Sequence, residues 1–488
     1  MQASRPCLAR GAAMANMRPS RSLPSSSSMH SAFYSMPPTS CSMRSCLPRT
    51  GFTYPRVVQS RTLFHLNTQQ ADWEMKDLDM QALEKLKGWD LLWALSEQNA
   101  TPVALSDLYR IGCDTSSRTR IKFGQFLHRE LAIRLAQRAV ELSRLPHGLS
   151  NKPSVKNVSG WYAEASCAIA ASKRPVDDAS EDEFTKLLKR ILRDHTAVVR
   201  GLALGCIELK QEVGPERWMQ LQADIDRVLT SFYTSRIGVR FLMEHHITSK
   251  QHVEGYSGIL AKACRPDDIA RNAAMDAMDL CYSFTGASPK VNVVCKNPHP
   301  MITYVPSHIH YMLTELLKNS VRAVVDTHKQ TSQKLPEVTV VVAKGEEDIT
   351  IRVSDEGGGI PRSQMTTMFC FLHTTAEHPE TQSSERMFGN PGQMRATSQN
   401  TPVLAGWGVG LPLSRTYARY FGGDLDIKSM EGYGTDAYLH LNVLGDGCEN
   451  LPKKVLDSPS MRDSSWRPWE ANMYDPLRTH DAYTRRVY

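Results

Sequence analysis

The chain has 488 residues, of which 41% are hydrophobic, and this length favours two folded domains with tails. Its formal charge of +7 lies in residues 1–71, which contain eight arginines and no lysine or acidic residue, so the remainder sums to 7 − 8 = −1. A near-neutral remainder excludes a bulk nucleic-acid footprint, and no apolar run reaches the length of about 18 residues needed for a membrane span. Eleven cysteines without a C-x-x-C pair give no zinc or disulfide pattern.

Residues 1–71 have the composition of a targeting segment. They are rich in Arg and Ser, with a serine run at 25–28, and the first acidic residue is Asp72. Such acid-free segments are typical of mitochondrial or plastid transit peptides, and the number and spread of arginines favour the mitochondrion. A disordered Ser-rich tail is the weaker interpretation. A cleavage point near Arg61, just before the first acidic residue, fits the pattern.

Residues 74–285 show helical periodicity and few turn signals. One stripe of the segment 118–144 carries Phe126, Leu131, Leu135 and Leu142. The predicted helices are 78–98, 104–112, 118–144, 157–173, 180–212, 215–247 and 266–285. Long helices with short links and no repeat period predict a four-helix-bundle-like domain rather than a helical array.

The pattern changes at about residue 290. A helix is predicted at 306–328, and strands are predicted at 291–295, 338–345, 348–355, 424–430 and 435–444. Residues 290–446 therefore predict an α+β domain, a sheet covered by helices on one face. Within it, about 373–405 is a long Pro-, Ser- and Gly-containing loop, and such loops are usually functional or disordered. Residues 447–488 form an irregular tail.

The stretch ELLKNSVRA (315–323) places four polar residues on one face of the predicted helix, namely Glu315, Lys318, Asn319 and Arg322. The opposite face carries Leu313, Leu317, Ser320, Val321 and Val324. A solvated polar face is the simpler interpretation of this stretch alone. Asparagine is nevertheless a weak helix former, and an amide oxygen beside a carboxylate suits Mg²⁺, which prefers oxygen ligands.

The stretch DITIRVSDEGGGI (348–360) places Asp355 on the same side of a strand as Ile349, Ile351 and Val353. A carboxylate on a buried face requires a donor, and an adenine amino group would supply one. Gly357, Gly358 and Gly359 then allow a tight turn and close approach of a ligand. A simple Asp-Gly turn is the alternative interpretation.

The stretch GWGVGLPLSRTYARYFGG (406–423) opens a predicted helix with Gly406, Gly408 and Gly410, and Pro412 lies in the first turn. Backbone amides at a helix start attract phosphate. A Rossmann fingerprint is disfavoured because no apolar strand precedes these glycines. The preceding loop instead predicts a lid hinged onto phosphates.

These motifs occur in the order E-x-x-x-N, D-x-G-x-G, G-x-G-x-G and a late G-T-D, which is Gly434 to Asp436. Together they resemble the GHKL ATP-binding fold shared by gyrase B, Hsp90, histidine kinases and MutL. The implied fold class is an N-terminal helical bundle followed by a GHKL α/β sandwich. Bacterial histidine kinases share this order and would need a phospho-acceptor, for which His195 or the pair His245 and His246 is available, but no sensor, membrane span or receiver accompanies them.

Residues from about 100 to 470 are similar to the mitochondrial 2-oxo acid dehydrogenase kinases, the pyruvate and branched-chain enzymes. The similar stretches include FLHRELAIRLAQRAVELSRLP, KPSVKNVSGWY, SFYTSRIGVR, YVPSHIHYMLTELLKNSVRAVV, SDEGGGIP and GVGLPLSRTYARYFGGDLDIKSMEGYGTD. The resemblance implies a serine kinase that phosphorylates the α-subunit of the thiamine-dependent decarboxylase and switches the complex off. It implies ATP and Mg²⁺ as cofactors and also allows K⁺.

Carried over by motif, the resemblance makes Glu315 the general base, Asn319 the Mg²⁺ ligand and His195 a neighbour that tunes Glu315. A capping or core histidine is the alternative interpretation of His195. The remaining implied contacts are Lys318 and Arg322 toward the phosphates, Asp355, Gly357, Gly359 and Thr435 at adenine, Thr374 and Thr375 at the start of the lid, and Gly406, Trp407, Gly408, Val409, Gly410 and Leu411 around the phosphates.

Features of both branches occur in the chain. VPSH (305–308), YARYF (417–421) and SSWR (464–467) look pyruvate-type, whereas HTTAE (373–377), HH (245–246) and SRIGVR (235–240) look branched-chain-type. Leu192 stands where pyruvate kinases have an arginine that helps to bind pyruvate, which puts regulation by pyruvate in doubt, although Arg236 and Arg240 remain. The tail also lacks the Asp-Trp pair of those enzymes.

We therefore predict a mitochondrial matrix kinase of the pyruvate dehydrogenase complex, with the branched-chain kinase as the alternative. An ATP-driven conformational binder and a catalytically idle regulator are alternatives from other classes, disfavoured by domain order and by the intact motifs respectively. The resemblance further implies homodimers, docking on the lipoyl domain of the acyltransferase core, and inhibition by a 2-oxo acid in the helical domain.

Overall fold

The structure is a computed structural model that describes residues 88–114, 116–297, 300–329, 334–373, 408–443 and 448–452. The predicted leader, most of the predicted lid and most of the tail lie outside these residues. Among the residues that it describes, no helix combines the length and the apolar character that crossing a bilayer requires.

Helices build the first part of the described chain. They are α1 (Gly88–Ser96), α2 (Leu105–Cys113), α3 (Ser117–Ser143), α4 (Pro153–Ala171), α5 (Asp178–Asp194) and α6 (Val198–Ser249), with a 3₁₀ turn at Pro146–Asn151. Each of α3, α4, α5 and α6 packs against the other three. The predicted helical bundle is thus confirmed.

Local sequence signals define several of these helix ends. Ser116 caps α3 by accepting a hydrogen bond from the Thr119 backbone N–H, and Asp177 with Ser180 forms a capping box at the start of α5. The prediction of one helix over 180–212 is wrong, because α5 ends before His195 and α6 begins at Val198. The predicted break near 213–215 is a kink instead, with Gly214 at φ 77° inside α6.

The second part contains two sheets and three helices in the described residues. Its elements are β1 (Tyr256–Ser257), β2 (Leu260–Cys264), α7 (Pro266–Thr285), β3 (Val291–Cys295), β4 (Ile302–Tyr304), α8 (Pro306–His328), β5 (Val338–Lys344), β6 (Asp348–Asp355), α9 (Gly410–Tyr420), β7 (Asp424–Met430) and β8 (Gly434–Asn442). The large sheet has the order β3-β5-β6-β8-β7, and the small sheet has the order β1-β2-β4.

The large sheet is mixed, because β3 pairs with β5 in parallel and the other neighbours are antiparallel. Alternate residues of its strands are buried, as Val338, Val340 and Val342 of β5 show, and α7, α8 and α9 contact this sheet. The predicted strands 291–295, 348–355 and 424–430 and the predicted helix 306–328 are confirmed. The small sheet was not predicted.

The two parts share a continuous hydrophobic core. Helix α9 of the second part lies against α6 of the bundle. At this junction the ring of Phe241 from α6 lies 5.4 Å from the ring of Phe421, and His308 from α8 lies 6.2 Å from the same ring. The junction therefore fixes the end of α9 relative to the bundle.

Candidate active site

The polar face of α8 holds the central carboxylate. Lys318 Nζ lies 2.6 Å from Glu315 Oε1, and the two side chains are 14% and 19% exposed. Arg322 Nε donates to Asp326 Oδ2 at 3.1 Å, while Asn319 is exposed. The predicted opposite face is confirmed as buried: Leu313, Leu317, Ser320, Val321 and Val324. Glu315 thus has a cation beside it and a packed helix beneath it.

Asp355 ends the buried face of β6, as predicted, and is 7% exposed. Its Oδ2 accepts a hydrogen bond from the Ser320 hydroxyl at 2.7 Å, and its Oδ1 accepts one from the Gly357 N–H at 3.0 Å. Burial raises the pKa of Asp355, and these two hydrogen bonds oppose the rise. Sequence reasoning had Ser320 only on the apolar face and missed it as the partner of this carboxylate.

The glycines after Asp355 are required by close backbone approach. A methyl group on Gly357 would lie 2.5 Å from the Cβ of Ala323. Gly359 has a φ of +71°, and a methyl group on it would overlap the Met430 carbonyl oxygen. Thr435 pairs with Asp355 in the β6–β8 register, and its hydroxyl lies 2.9 Å from that of Ser429. The turn thus lies close to α8 and to the β7–β8 hairpin, leaving no space for side chains at these positions.

Helix α9 begins directly beside Glu315. Val409 is the residue before its first turn and Gly410 is its first residue, where a methyl group would overlap the Glu315 carboxylate. The Leu372 N–H donates to the Gly408 carbonyl at 2.9 Å, which joins the chain before the predicted lid to the chain after it. The first backbone N–H groups of a helix lack intrahelical partners and attract anions. The structure therefore brings Glu315 to a helix end suited to phosphate.

Other predicted residues cannot be placed or have different surroundings. Thr374, Thr375, Gly406 and Trp407 lie outside the described residues. His195 is 4% exposed, its Nε2 lies 3.2 Å from the Trp161 carbonyl, and its own carbonyl accepts from Arg236 at 3.0 Å. Both hydrogen bonds lie within the helical bundle. The role of His195 toward Glu315 stays a prediction.

Two kinds of comparison bear on this geometry. Residues 102–263 match the family described as mitochondrial branched-chain alpha-ketoacid dehydrogenase kinase, and residues 304–444 match the histidine kinase-, DNA gyrase B- and HSP90-like ATPase family. The mitochondrial [pyruvate dehydrogenase (acetyl-transferring)] kinase of Arabidopsis thaliana is 40% identical over 366 residues, which cover 74% of this chain and 94% of the relative.

Two animal proteins are also similar. The Drosophila melanogaster mitochondrial [pyruvate dehydrogenase (acetyl-transferring)] kinase is 35% identical over 72% of this chain and 84% of the relative. Human isozyme 3 is 34% identical over 71% of this chain and 82% of the relative. The chain belongs to the mitochondrial 2-oxo acid dehydrogenase kinase family. It is therefore an ATP-using protein kinase.

In this kinase, Tyr311 is a residue of the site that sequence reasoning missed. It lies one helical turn before Glu315 on α8, and its ring centroid is 5.0 Å from that of Tyr417 on α9. Burial, and then the charge of Glu315, raises the pKa of Tyr311 well above its ordinary value. The phenol therefore stays protonated beside the carboxylate. The i, i+4 spacing to Glu315 was the available signal.

A second missed set joins the kinase site to the bundle. Asp226 of α6 accepts from the Phe371 N–H at 2.8 Å, and Gln222 Nε2 donates to the Phe371 carbonyl at 3.0 Å. The Phe371 ring is 1% exposed and stacks on Tyr233 at 5.1 Å. We call Gln222, Asp226, Tyr233 and Phe371 the α6 clamp. The sequence could not reveal these contacts, because Asp226 and Phe371, for example, lie 145 positions apart along the chain.

The residues present fit a magnesium ion that binds together with nucleotide. Among the described residues, no three or more His, Cys, Asp or Glu side chains form a metal-binding group. The Asn319 amide is exposed, and none of the described residues hydrogen-bonds to it. Because Mg²⁺ keeps waters and phosphate oxygens as ligands, one amide oxygen beside a carboxylate is a sufficient protein contribution.

Proposed function

We propose that this chain is a mitochondrial matrix serine kinase that transfers the γ-phosphoryl group of Mg·ATP to the decarboxylase α-subunit of the pyruvate dehydrogenase complex and inactivates it. The observation that carries the proposal is the placement of Glu315 at the first turn of α9, with Asn319 one turn further along α8. The names and identities of the relatives from Arabidopsis, Drosophila and human support pyruvate dehydrogenase as the target.

Phosphoryl transfer requires positioning and charge neutralisation more than covalent chemistry. Glu315 would accept the proton of the substrate serine, and the N–H groups at the start of α9 would bind the phosphates. Magnesium held by Asn319 would neutralise phosphate charge. Asp355, supported by Ser320, would accept a hydrogen bond from the adenine amino group.

The test is phosphate transfer from labelled ATP by the full-length chain, with the pyruvate and branched-chain decarboxylase components supplied side by side. We expect label on a serine of the pyruvate α-subunit and a matching loss of decarboxylase activity. Label on neither component, with ATP still bound, would refute the proposal and favour the non-kinase ATPase class.

The branched-chain decarboxylase is a second candidate target. It is favoured by one observation, the match of residues 102–263 to the family described as branched-chain alpha-ketoacid dehydrogenase kinase. The same assay separates the two targets. Exclusive labelling of the branched-chain component would replace the pyruvate assignment without changing the proposed chemistry.

We further propose that the kinase is a homodimer and docks on the lipoyl domain of the acyltransferase core. The face of the large sheet opposite α7, α8 and α9 carries half-buried residues that neighbour one another across three strands, such as Val341, Arg352 and Tyr438, and a second copy could pack on them. Sedimentation should give about twice the chain mass of 54.7 kDa, and Val341→Asp should give monomers.

Retention of the kinase on an immobilised lipoyl domain tests docking. Replacing potassium salts with sodium salts in the kinase assay tests a K⁺ requirement.

A further inference from the structure

A buried ionic cluster lies where the helical bundle meets the kinase domain. Arg134 of α3 is 1% exposed, with its Nε 2.8 Å from Glu130 Oε1 and its Nη2 2.7 Å from Glu449 Oε2. The Tyr420 hydroxyl donates to the other Glu449 oxygen at 2.5 Å. We call Glu130, Arg134, Tyr420 and Glu449 the Arg134 cluster. It joins α3, the end of α9 and the chain beyond β8.

Glu449 also pairs with backbone of the bundle. The Val103 N–H donates to Glu449 Oε2 at 3.0 Å, and the Glu449 N–H donates to the Val103 carbonyl at 3.1 Å. The neighbouring residues Ala104 and Cys448 form an antiparallel bridge. Both the side chain and the main chain of Glu449 therefore fix the segment after β8 to the segment before α2.

The charges make this arrangement specific. Two carboxylates share one guanidinium in a region closed to solvent, and a buried charge without a partner is strongly unfavourable. Burial, and then the charge of Glu449, raises the pKa of Tyr420 well above its ordinary value, so the phenol remains a donor to Glu449. Gly238 of α6 leaves room for the Arg134 and Tyr420 side chains to meet Glu449. A methyl group at Gly238 would lie 3.1 Å from Arg134 Nη1 and would overlap the Tyr420 hydroxyl.

The cluster is connected to the reacting groups through a single helix. Tyr420 is the last residue of α9 and Gly410 is the first, so they lie 10 positions apart, or about 15 Å along the helix axis. Gly410 lies against Glu315. A shift at one end of a short helix is transmitted to the other end because the helix moves as a rigid element.

We propose that Glu449 is a positioning residue for phosphoryl transfer, acting through Tyr420 to fix α9 and hence to hold its phosphate-binding end at Glu315. The inference rests on the proposed kinase function and adds to it a residue beyond the last strand of the domain. It assigns to this part of the chain an effect on nucleotide geometry that is transmitted through α9.

The test compares Glu449→Gln and Tyr420→Phe in the full-length chain, with Glu346→Gln in the exposed β5–β6 turn as the matched control. The Gln variant removes the charge, and the Phe variant removes only the hydroxyl that joins α9 to Glu449. We measure the ATP dissociation constant directly, and kcat and KM for ATP on whichever decarboxylase the wild type labels. Assays are run at a temperature at which all variants are folded.

We expect ATP affinity to fall about tenfold in Glu449→Gln and about fivefold in Tyr420→Phe, with lower kcat in both and no change in the control. A lowered melting temperature with unchanged ATP affinity and kcat would show that Glu449 is structural only and would overturn the proposal. If Glu449→Gln does not fold, Tyr420→Phe decides alone. If the wild type labels neither decarboxylase, the kinase assignment fails, and the ATP dissociation constants still decide the positioning role.

Discussion

Glu315 and Asn319 lie one turn apart on α8 and have opposite surroundings. Glu315 is ion-paired with Lys318 and lies at the start of α9, whereas the Asn319 side chain is exposed and none of the described residues hydrogen-bonds to its amide group. A general base needs a fixed position, and a Mg²⁺ ligand needs a free oxygen. The two environments therefore support different roles for the two residues.

Replacing Asn319 with Ala should abolish magnesium-dependent phosphate transfer while leaving the fold intact, because the side-chain amide is exposed and none of the described residues hydrogen-bonds to it. Transfer and thermal unfolding are measured together at several Mg²⁺ concentrations. Asn292→Ala, an exposed amide on the edge strand β3, is the matched control and should behave as wild type. Normal transfer by Asn319→Ala would contradict the magnesium assignment.

Replacing Asp355 with Asn should weaken ATP binding at least about tenfold, because the amide has one neutral acceptor oxygen where the carboxylate has two charged ones, and the Gly357 N–H and the adenine amino group would compete for it. Burial raises the pKa of Asp355, so its charge destabilises the nucleotide-free fold at neutral pH and the melting temperature should not fall. Ser320 can accept as well as donate, and so it accommodates the amide. Asp348→Asn at the other end of β6 is the control. A loss of stability without a loss of affinity would show that Asp355 serves the fold alone.

At the scale of elements, the site depends on contacts between α6 and the chain just before the predicted lid. The α6 clamp satisfies both backbone groups of Phe371 and buries its ring. The next residue, Leu372, donates to Gly408, two residues before α9 begins. The bundle therefore takes part in placing α9, the helix that we propose to bind the phosphates.

Replacing Asp226 with Ala should destabilise the fold by about 1–3 kcal/mol, because the Phe371 N–H would lose its acceptor. The KM for ATP should rise in the same variant. Asp226→Asn keeps an acceptor oxygen and should restore most of both properties. Equal effects of the Ala and Asn variants would mean that the charge of Asp226, rather than this hydrogen bond, is what matters.

Element positions could be predicted where periodicity is strong. The alternation of apolar and polar residues predicted the bounds of β6 and its buried face, which includes Asp355. The polar stripe of α8 likewise indicated the buried face opposite it, which includes Ser320. The break between α5 and α6 was missed because residues 195–197 carry no Gly or Pro to interrupt a helical pattern. Strands β1 and β4 have two and three residues, which is too short for alternation to be visible.

The motif residues of the site could also be predicted, because helix, strand and turn geometry places them locally. Tyr311 follows from the same helix geometry but has no polar periodicity to single it out. Asp226 and Glu449 could not be found, because their partners lie 145 and 346 positions away along the chain. Such pairs are defined only by the packing of the two parts.

At the scale of the whole molecule, buried histidines near the junction make stability depend on pH. His245 Nε2 lies 3.0 Å from the Leu108 carbonyl oxygen. Because a carbonyl can only accept, this nitrogen is the donor and carries the proton. Burial lowers the pKa of His245 to about 4 and that of His308 to about 3. Both rings are therefore neutral in the folded protein at physiological pH.

The melting temperature should fall as pH falls from about 6.5 toward 4, because the unfolded chain takes up protons that the folded chain excludes. In this pH range, each histidine lowers the free energy of unfolding by up to about 1.4 kcal/mol for every unit by which the pH falls. His245→Gln should flatten the profile, and His252→Gln, which is exposed, should not. A profile that stays equally steep in His245→Gln would exclude this ring as the source.

The buried carboxylate of Glu181 affects stability over a different pH range. Burial would raise its pKa, but hydrogen bonds from His246 and Thr185 and the charges of His246 and Arg120 lower it to about 2. Glu181 therefore contributes its full stabilisation of the fold above about pH 4.5, and this stabilisation is lost only as the pH falls toward 2. Acid destabilisation above pH 5 is thus expected from the histidines and not from Glu181.

The separation of 346 positions between Val103 and Glu449 has a consequence for the order of events during synthesis. A ribosome releases the bundle residues long before residue 449 exists, and domains fold as they emerge from the amino end. Until then the Val103 N–H has no acceptor from Glu449, and Arg134 has Glu130 as its only carboxylate in the cluster. The Arg134 cluster is therefore completed last, so a ribosome that stops before residue 449 leaves a bundle whose contact with α9 is unfinished.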